Sequence, residues 1–361
     1  MLAVFSKTGI LSRYGVALLW PLVAVALTLG CSTEPPAVKS RTFEFHYQAL
    51  FPSIPKGGEQ YRIWVPLPSE GSAQQIHDLK VVSPVGYKQR EESVFGNRYA
   101  YIEFDRGDYP WPLSVTVGFQ VTRQEHKVYF DSASFSSNGT SAGAESGARA
   151  GTSAGTDYAA DSYEKFLQPN RLVPLDGIIG DLSKQYTAGA ASPLEKARKV
   201  YDYVVSTMAY DKSGDGWGRG DALYACDVKK GNCTDFHALF IGMMRAAGIP
   251  ARFEIGFPLP PNEKRGSVPG YHCWASFHVD GIGWIPVDAS EAWKDPARKD
   301  YFFGALDEHR VQFTTGRDIR LDAGQAGAPL NYFIYPYAEL DGQPVEPIEK
   351  RFLFRDLANP S

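Results

Sequence analysis

Gly231-Asn232-Cys233-Thr234-Asp235 opens the stretch of sequence that decides the fold. Asn is favoured immediately before a helix, and Gly248 and Pro250 end the apolar run that follows. Within that run the large apolar side chains recur at the spacing of one helix face: Phe236, Leu239, Phe240, Met243 and Met244. The pattern predicts a buried central helix from near Asn232 through Ala247, with Cys233 in its first turn.

Cys233 occupies a position at which a cysteine becomes reactive. Unpaired backbone N–H groups and the positive end of the helix dipole stabilise a thiolate at the start of a helix and lower the pKa of the thiol. The free N–H of Cys233 is also a candidate donor to an oxyanion. An inert, buried cysteine is the alternative, because that is the commonest environment of a free thiol.

Two further polar residues lie downstream, in segments that read as neighbouring strands. His272 begins one strand, and Asp288 follows the strand that ends at Val287. A cysteine, a histidine that deprotonates it and a carboxylate that orients the histidine form a set for nucleophilic catalysis. The sequence therefore predicts this set in Cys233, His272 and Asp288. A structural histidine and a capping aspartate are the alternatives for the last two.

The loop between these strands decides whether His272 and Asp288 meet, because side chains alternate between the two faces of a sheet. A two-residue loop at Gly281-Ile282 sets Asp288 on the face away from His272. A three-residue loop at 280–282 sets Asp288 opposite Trp274 and on the same face as His272. Only an odd loop, or a bulge that restores the alternation, brings the two residues together, and Gly281 and Gly283 suit either device. We predict side chains on the same face, with a hydrogen bond of ordinary length between His272 and Asp288.

Four blocks of sequence resemble the transglutaminase-like core of bacterial proteins. They are Gly231-Asn232-Cys233-Thr234-Asp235-Phe236-His237, Arg245-Ala246-Ala247-Gly248-Ile249-Pro250-Ala251-Arg252, His272-Cys273-Trp274 and Gly283-Trp284-Ile285-Pro286-Val287-Asp288. The resemblance covers the stretch from Pro193 to Ser290. It implies an α+β, papain-like fold with a central helix packed on an antiparallel sheet. It also implies that Cys233 is the nucleophile, His272 the general base and Asp288 the orienting acid.

The superfamily includes protein cross-linkers, peptidases, amidases and members without activity, so the resemblance leaves the reaction open. We expect a cysteine-dependent hydrolase or acyl transferase that acts on amide bonds of proteins or peptides through an acyl-enzyme. A catalytically silent peptide- or protein-binding module of the cell envelope is the alternative. A third hypothesis gives the function to the β-rich N-terminal region, as a docking domain. No motif anchors the oxyanion side chain, for which Asn232 and Trp217 are the candidates.

The remaining cysteines and His237 allow two other interpretations. Cys233 and His237 share a helix face, and three more residues make a zinc site conceivable: Cys226, His272 and Cys273. The paired spacing typical of structural zinc is missing, so we expect no metal and no other cofactor. Cys226 and Cys273 are also a candidate disulfide in an oxidising compartment, with two free buried thiols as the alternative.

The chain divides into regions by composition. Short alternating segments predict a small β-sandwich domain over 41–130. Ser, Gly, Ala and Thr make up 21 of the 25 residues from Ser132 to Thr156, which predicts a flexible linker or loop over 132–157. A transglutaminase-like domain at 158–330 and a strand-rich C-terminal extension at 331–361 complete the prediction.

The N-terminus predicts export. Lys7 and Arg13 precede an apolar run from Val16 to Leu29, the layout of a signal peptide over 1–30. Leu27-Thr28-Leu29-Gly30-Cys31 resembles a bacterial lipobox, which implies lipidation of Cys31. Together with Ser32, the resemblance implies an anchor in the outer membrane, facing the periplasm. Ordinary secretion and a retained membrane anchor are the alternatives.

Overall composition limits the partners. The 361 residues are 43% apolar, which excludes a disordered or fibrous chain. The 37 basic and 41 acidic side chains give a net charge of -4, so the chain has no general attraction for nucleic acid. The expected partners are a protein or peptide substrate and, through the N-terminal lipid, a membrane.

Overall fold

The computed structural model describes residues 38–52, 58–105, 111–130, 163–322 and 324–357. The predicted signal peptide at 1–30, Cys31 and the predicted linker at 132–157 lie outside these ranges. Residues Val38–Ser361 group into one compact unit. Within the described ranges, no helix has the length and apolar character needed to cross a membrane.

The helices lie in the middle of the chain, and strands occur on both sides of them. The helices are α1 (Gly177–Thr187), α2 (Pro193–Thr207), α3 (Ala222–Val228), α4 (Cys233–Ala246) and α5 (Ala289–Lys294). The strands are β1 (Ser40–Phe51), β2 (Gln60–Pro66), β3 (Gln74–Val82), β4 (Tyr87–Glu91), β5 (Arg98–Asp105), β6 (Leu113–Gln124), β7 (His126–Lys127), β8 (Ala209–Tyr210), β9 (Lys230–Gly231), β10 (Ala251–Pro258), β11 (Arg265–Ser267), β12 (His272–Val279), β13 (Gly283–Val287), β14 (Ala305–Leu306), β15 (Arg310–Thr315), β16 (Tyr337–Leu340), β17 (Gln343–Pro344) and β18 (Glu349–Asp356).

The predicted strands between 41 and 130 are present, and they contribute to two five-stranded sheets. The strand orders are β11-β18-β1-β6-β3 and β17-β16-β2-β5-β4. Along β1 and β6 every second side chain is buried, as the period-two pattern predicts for a half-buried sheet. Both sheets therefore place one apolar face in the protein core.

The extent of the sandwich differs from the predicted domain at 41–130. Strand β18 pairs with β1, strand β16 pairs with β2, and β11 of the helical region pairs with β18. Strands β16 and β18, from the predicted C-terminal extension, thus pair with the N-terminal strands β2 and β1 in the same two sheets. The physical reason is that β1 and β2 would otherwise each present an unpaired edge. Composition carries no record of such a long-range pairing.

The predicted α+β, papain-like architecture is confirmed in the second half of the chain. Strands β13-β12-β10-β15 form an antiparallel sheet, and α4 packs on it. Asn232 caps α4, and Gly248 beyond its C-terminal end has a φ of +77°, a conformation that glycine adopts without strain. Except for Ala246, every residue of α4 is buried. It is the central helix that the apolar run predicts.

The two five-stranded sheets form the sandwich, which contacts the four-stranded sheet at β15. Gln74 Nε2 donates to the carbonyl of Gln312 at 2.9 Å, and the Gln312 N–H donates to Gln74 Oε1 at 2.8 Å. The ring of Phe313 packs 6.1 Å from that of Phe45 and 5.8 Å from that of Phe119. Strand β15 is therefore held by the sandwich as well as by its own sheet.

Candidate active site

Cys233 is the first residue of α4, and its helical turn is locked by a reciprocal cap. Asn232 Oδ1 accepts from the Thr234 N–H at 2.9 Å, and Asp235 Oδ2 accepts from the Asn232 N–H at 2.9 Å. Cys233 is only 2% exposed. The cap holds its sulfur at the positive end of a buried helix.

The hairpin of β12 and β13 has the register of the three-residue loop. Ala275 pairs with Val287 and Val279 pairs with Gly283, so the odd loop, rather than a bulge, produces the predicted same-face arrangement. Gly281 has a φ of +80°, which a tight turn requires and glycine tolerates. This register places Asp288 and His272 on the same face of the sheet.

His272 and Asp288 meet as this register predicts. His272 Nε2 donates to Asp288 Oδ2 at 2.7 Å, an ordinary length for a charge-assisted hydrogen bond. His272 and Cys233 are close enough for each to shift the pKa of the other. Because Nε2 is bonded to Asp288, Nδ1 is the ring nitrogen left for the sulfur. The structure thus brings together Cys233, His272 and Asp288 in one buried cluster.

Asp288 combines two functions that the sequence presents as alternatives. Its Oδ1 caps α5 by accepting from the Glu291 N–H at 3.0 Å, and it also accepts from Ser290 Oγ at 3.1 Å. Its Oδ2 accepts from His272 and, at 3.1 Å, from Arg310 Nη1. Burial alone would raise the pKa of the Asp288 carboxyl. The adjacent His272 and Arg310 outweigh burial and hold this pKa well below its ordinary value.

The electrostatics favour a thiolate and an imidazolium. Burial raises the pKa of the Cys233 thiol, but hydrogen bonds from Cys273 and His272 and the charge of His272 outweigh it and hold this pKa well below its ordinary value. Burial likewise lowers the pKa of His272, but the charge and hydrogen bond of Asp288 outweigh it and raise this pKa to about 10. Between these two pKa values Cys233 is an activated nucleophile.

His237 has a role in the site that the sequence interpretation missed, because the sequence indicated it only as a conceivable zinc ligand. Its ring is completely buried, with Nδ1 2.7 Å from the carbonyl oxygen of Cys233 and Nε2 3.1 Å from the N–H of Ala289. A carbonyl only accepts and an N–H only donates, so the ring is neutral with its proton on Nδ1. Burial lowers the pKa of His237 accordingly. His237 links the turns that carry Cys233 and Asp288, and its ring nitrogens are therefore already engaged where a zinc ion would need them.

Of the two alternatives for Cys226 and Cys273, the structure has the free thiols and not the candidate disulfide. Cys273 is completely buried, with its sulfur 3.7 Å from His237 Nδ1, and the adjacent Cys233 adds to burial in raising the pKa of its thiol. Cys226 lies half-buried on α3. The side chain of Cys273 is thus occupied inside the site. The spacing of the cysteines along the chain does not indicate which residues the Cys273 side chain contacts.

Of the two oxyanion candidates, Asn232 is already engaged. Its Oδ1 caps the helix, and its Nδ2 donates to Tyr271 Oη at 3.2 Å. Trp217 lies in the loop before α3, and Asp235 fixes this loop by accepting from the N–H groups of Gly218 at 2.7 Å and Gly220 at 2.9 Å. Trp217 is therefore held next to the turn that carries the nucleophile and remains a candidate.

Tyrosines from two distant segments line the same turn. Tyr271 precedes His272, and its hydroxyl lies 3.4 Å from that of Tyr332. Tyr332 Oη donates to the carbonyl of Gly218 at 3.3 Å, and the ring of Tyr335 lies 5.9 Å from that of Tyr271. The aromatic run near the C-terminus thus contributes a wall of the candidate site, which its sequence did not indicate.

Arg310 is the second residue that the sequence interpretation missed. It lies 22 residues beyond Asp288 and outside all four motif blocks. The side chain is 4% exposed and contacts the candidate orienting acid directly. No signal in its neighbourhood distinguishes it from the other arginines of the chain.

Comparisons with known proteins confirm the transglutaminase-like resemblance for part of the chain. Residues 180–289 match the model of the transglutaminase-like superfamily. An uncharacterized protein of Haemophilus influenzae is 26% identical over 91% of this chain and 96% of its own length. An uncharacterized protein of Mycobacterium leprae is also 26% identical, over 44% of this chain and 52% of its own.

A solved structure shares the fold. The crystal structure of a candidate cysteine protease from Cytophaga hutchinsonii superposes with a TM-score of 0.58 at 17% identity. The superposition covers 90% of this chain and 93% of that one. Its coverage extends beyond the transglutaminase-like core, so the combination of core and β-rich region is a shared architecture.

Proposed function

We propose that the protein, whose core is transglutaminase-like, is a cysteine hydrolase that cleaves amide bonds of proteins or peptides. The observation that carries the proposal is the 2.7 Å hydrogen bond between His272 and Asp288 in a cluster with Cys233 at a helix start. The lowered pKa of Cys233 supports it, since a thiolate is the nucleophilic form of cysteine. A purely peptide-binding module has no need of this arrangement.

The proposed reaction proceeds in two stages. The Cys233 thiolate attacks the amide carbonyl carbon, and the N–H of Cys233, the first of the helix, donates to the oxyanion. The C–N bond then breaks as His272 gives its proton to the leaving amine, which leaves a thioester on Cys233 and a neutral imidazole. Neutral His272 next takes a proton from water, which attacks the thioester and releases a carboxylic acid and the thiolate.

Hydrolysis is the preferred outcome over acyl transfer. Water is always available as the second nucleophile, whereas transfer requires a binding site for an acceptor amine. The described residues around Cys233 present aromatic rings and two further site residues, His237 and Arg310, that are bonded inside the protein. An acyl transferase would share every step up to the thioester.

Covalent trapping tests the proposal. We expect a pool of dipeptidyl vinyl sulfones to modify Cys233 by addition to its thiolate, with the adduct located by peptide mass spectrometry. Cys226 and Cys273 in the same sample are internal references, because the pKa values of both thiols are raised, chiefly by burial. The Cys233→Ala variant is the matched control. Labelling of Cys233 no faster than that of Cys226 would favour the binding module instead.

We also propose that this activity resides in the bacterial cell envelope, tethered by lipid on Cys31. The support is the positively charged leader, its apolar run and the lipobox-like Gly30-Cys31. Cells expressing the chain should incorporate labelled palmitate into it, and the Cys31→Ala variant should not. Mature protein that begins at another residue and carries no lipid would contradict this part of the proposal.

A further inference from the structure

Arg310 contacts the oxygen atom on which the geometry of the site depends. Its Nη1 donates to Asp288 Oδ2 at 3.1 Å, and the same oxygen accepts from His272 Nε2 at 2.7 Å. All three residues are at most 4% exposed. A buried carboxylate is stable only when its charge is balanced and its lone pairs are occupied. Arg310 does both for Asp288.

The guanidinium is itself held rigidly. Arg310 Nε and Nη2 donate to Asp307 Oδ1 at 3.3 and 3.2 Å, and the guanidinium carbon lies 4.9 Å from the ring centroid of Trp274. Trp274 is fixed in turn by a 2.6 Å hydrogen bond from its Nε1 to Glu254 Oε2. Arg310 therefore presents one donor to Asp288 in a single orientation, which a lysine would not reproduce.

We propose that Arg310 is a positioning residue of the active site, which aims the Asp288 carboxylate at His272 and neutralises that carboxylate whenever His272 has given up its proton. The inference rests on the proposed hydrolase function. In that reaction His272 becomes neutral when the amine leaves, and Asp288 is then a buried anion. Arg310 is a permanent cation in contact with it at that stage.

Several charged or titratable groups face this pair from the surrounding elements. They are Asp307, His309, Glu291, His272, His237 and Arg123. Asp307 is an anion, Arg123 is a cation, and His237 is neutral. Because Asp307 also bonds Arg310, removal of the guanidinium leaves the buried Asp288 carboxylate and the partly exposed Asp307 carboxylate without this cation. The net positive charge of the cluster that contains Asp288, His272 and Cys233 then falls by one.

The pH dependence of Cys233 alkylation by iodoacetamide tests this inference without a substrate. The alkylation rate rises with pH as the thiol ionises, and this rise is the acidic limb of the rate–pH profile. Loss of a nearby cation raises the pKa of a thiol, so in Arg310→Gln we expect the acidic limb to shift to higher pH by about one unit. Arg310→Lys retains the charge but not the fixed orientation of the guanidinium, and it should therefore restore part of that shift. The control is Arg298→Gln, because Arg298 approaches Asp307 at 3.4 Å from the exposed side and should leave the limb unchanged.

A structural role alone predicts a different result, namely equal limbs in the Gln and Lys variants. A folded Arg310→Gln variant with the wild-type limb would overturn the inference. Should the single variant not fold, Arg310→Gln with Asp307→Asn removes both partners, and we expect a smaller shift in the same direction. A wild-type Cys233 that titrates like an ordinary thiol would instead contradict the proposed function, so the two failures are distinguishable.

Discussion

Replacement of His272 by Gln should slow the alkylation of Cys233 by iodoacetamide at pH 7 by at least about a hundredfold. In the native site Cys233 is held as a thiolate by His272 and Cys273 against a burial that opposes the charge. Without the imidazolium, burial dominates and the thiol pKa rises above its ordinary value of 9.0. At pH 7 the thiolate fraction then falls from nearly all molecules to about one per cent or less.

The measurement is the rate of modification of the peptide that contains Cys233, with Cys226 in the same sample as a reference. His46→Gln is the matched control, because the His46 side chain is 44% exposed on the sandwich. We expect it to leave the rate at Cys233 unchanged. An unaltered rate in His272→Gln would mean that the helix terminus alone activates the thiol. Activation of Cys233 by His272 would then be wrong.

Asp288→Asn should lower the turnover of a peptide amide by about four orders of magnitude, the cost of this change in a serine-protease triad. The Asn side chain keeps one oxygen. This oxygen accepts from the Glu291 N–H and so preserves the cap of α5. Its amide nitrogen then faces two donors, His272 Nε2 and Arg310 Nη1. His272 escapes that conflict only by moving its proton to Nδ1, the tautomer that cannot accept a proton from Cys233.

The substitution also leaves a buried guanidinium with one carboxylate fewer, so we expect a loss of about 1 to 3 kcal/mol in the free energy of unfolding. Turnover is measured as amine release under conditions where circular dichroism shows the variant folded. Asp280→Asn is the matched control, since Asp280 lies on the same hairpin and its side chain is 90% exposed. Turnover in Asp288→Asn within tenfold of wild type would remove Asp288 from the proposed mechanism.

The sequence by itself determined the parts of the site that depend on local rules. Helix α4 followed from an apolar period and an Asn cap, because both act within a few residues of chain. The meeting of His272 and Asp288 depended on whether the hairpin loop has two or three residues, because side chains alternate along strands. The predicted same-face arrangement is the observed one, and the three-residue loop rather than a bulge produces it. The four motif blocks were sufficient to assign the transglutaminase-like core.

Only the tertiary structure decided which side chains surround that core. His237 lies one helical turn after Cys233, and its Nδ1 hydrogen-bonds the Cys233 carbonyl. The partner of its Nε2 is the N–H of Ala289 in α5, which only the tertiary structure brings near. Cys273 faces Cys233 rather than Cys226, and Arg310 reaches Asp288 from a strand held by the sandwich. The pairing of β1 with β18 joins residues about 300 positions apart. Such contacts arise from burial and from the pairing of distant edges, and neither leaves a periodic or local pattern in the chain.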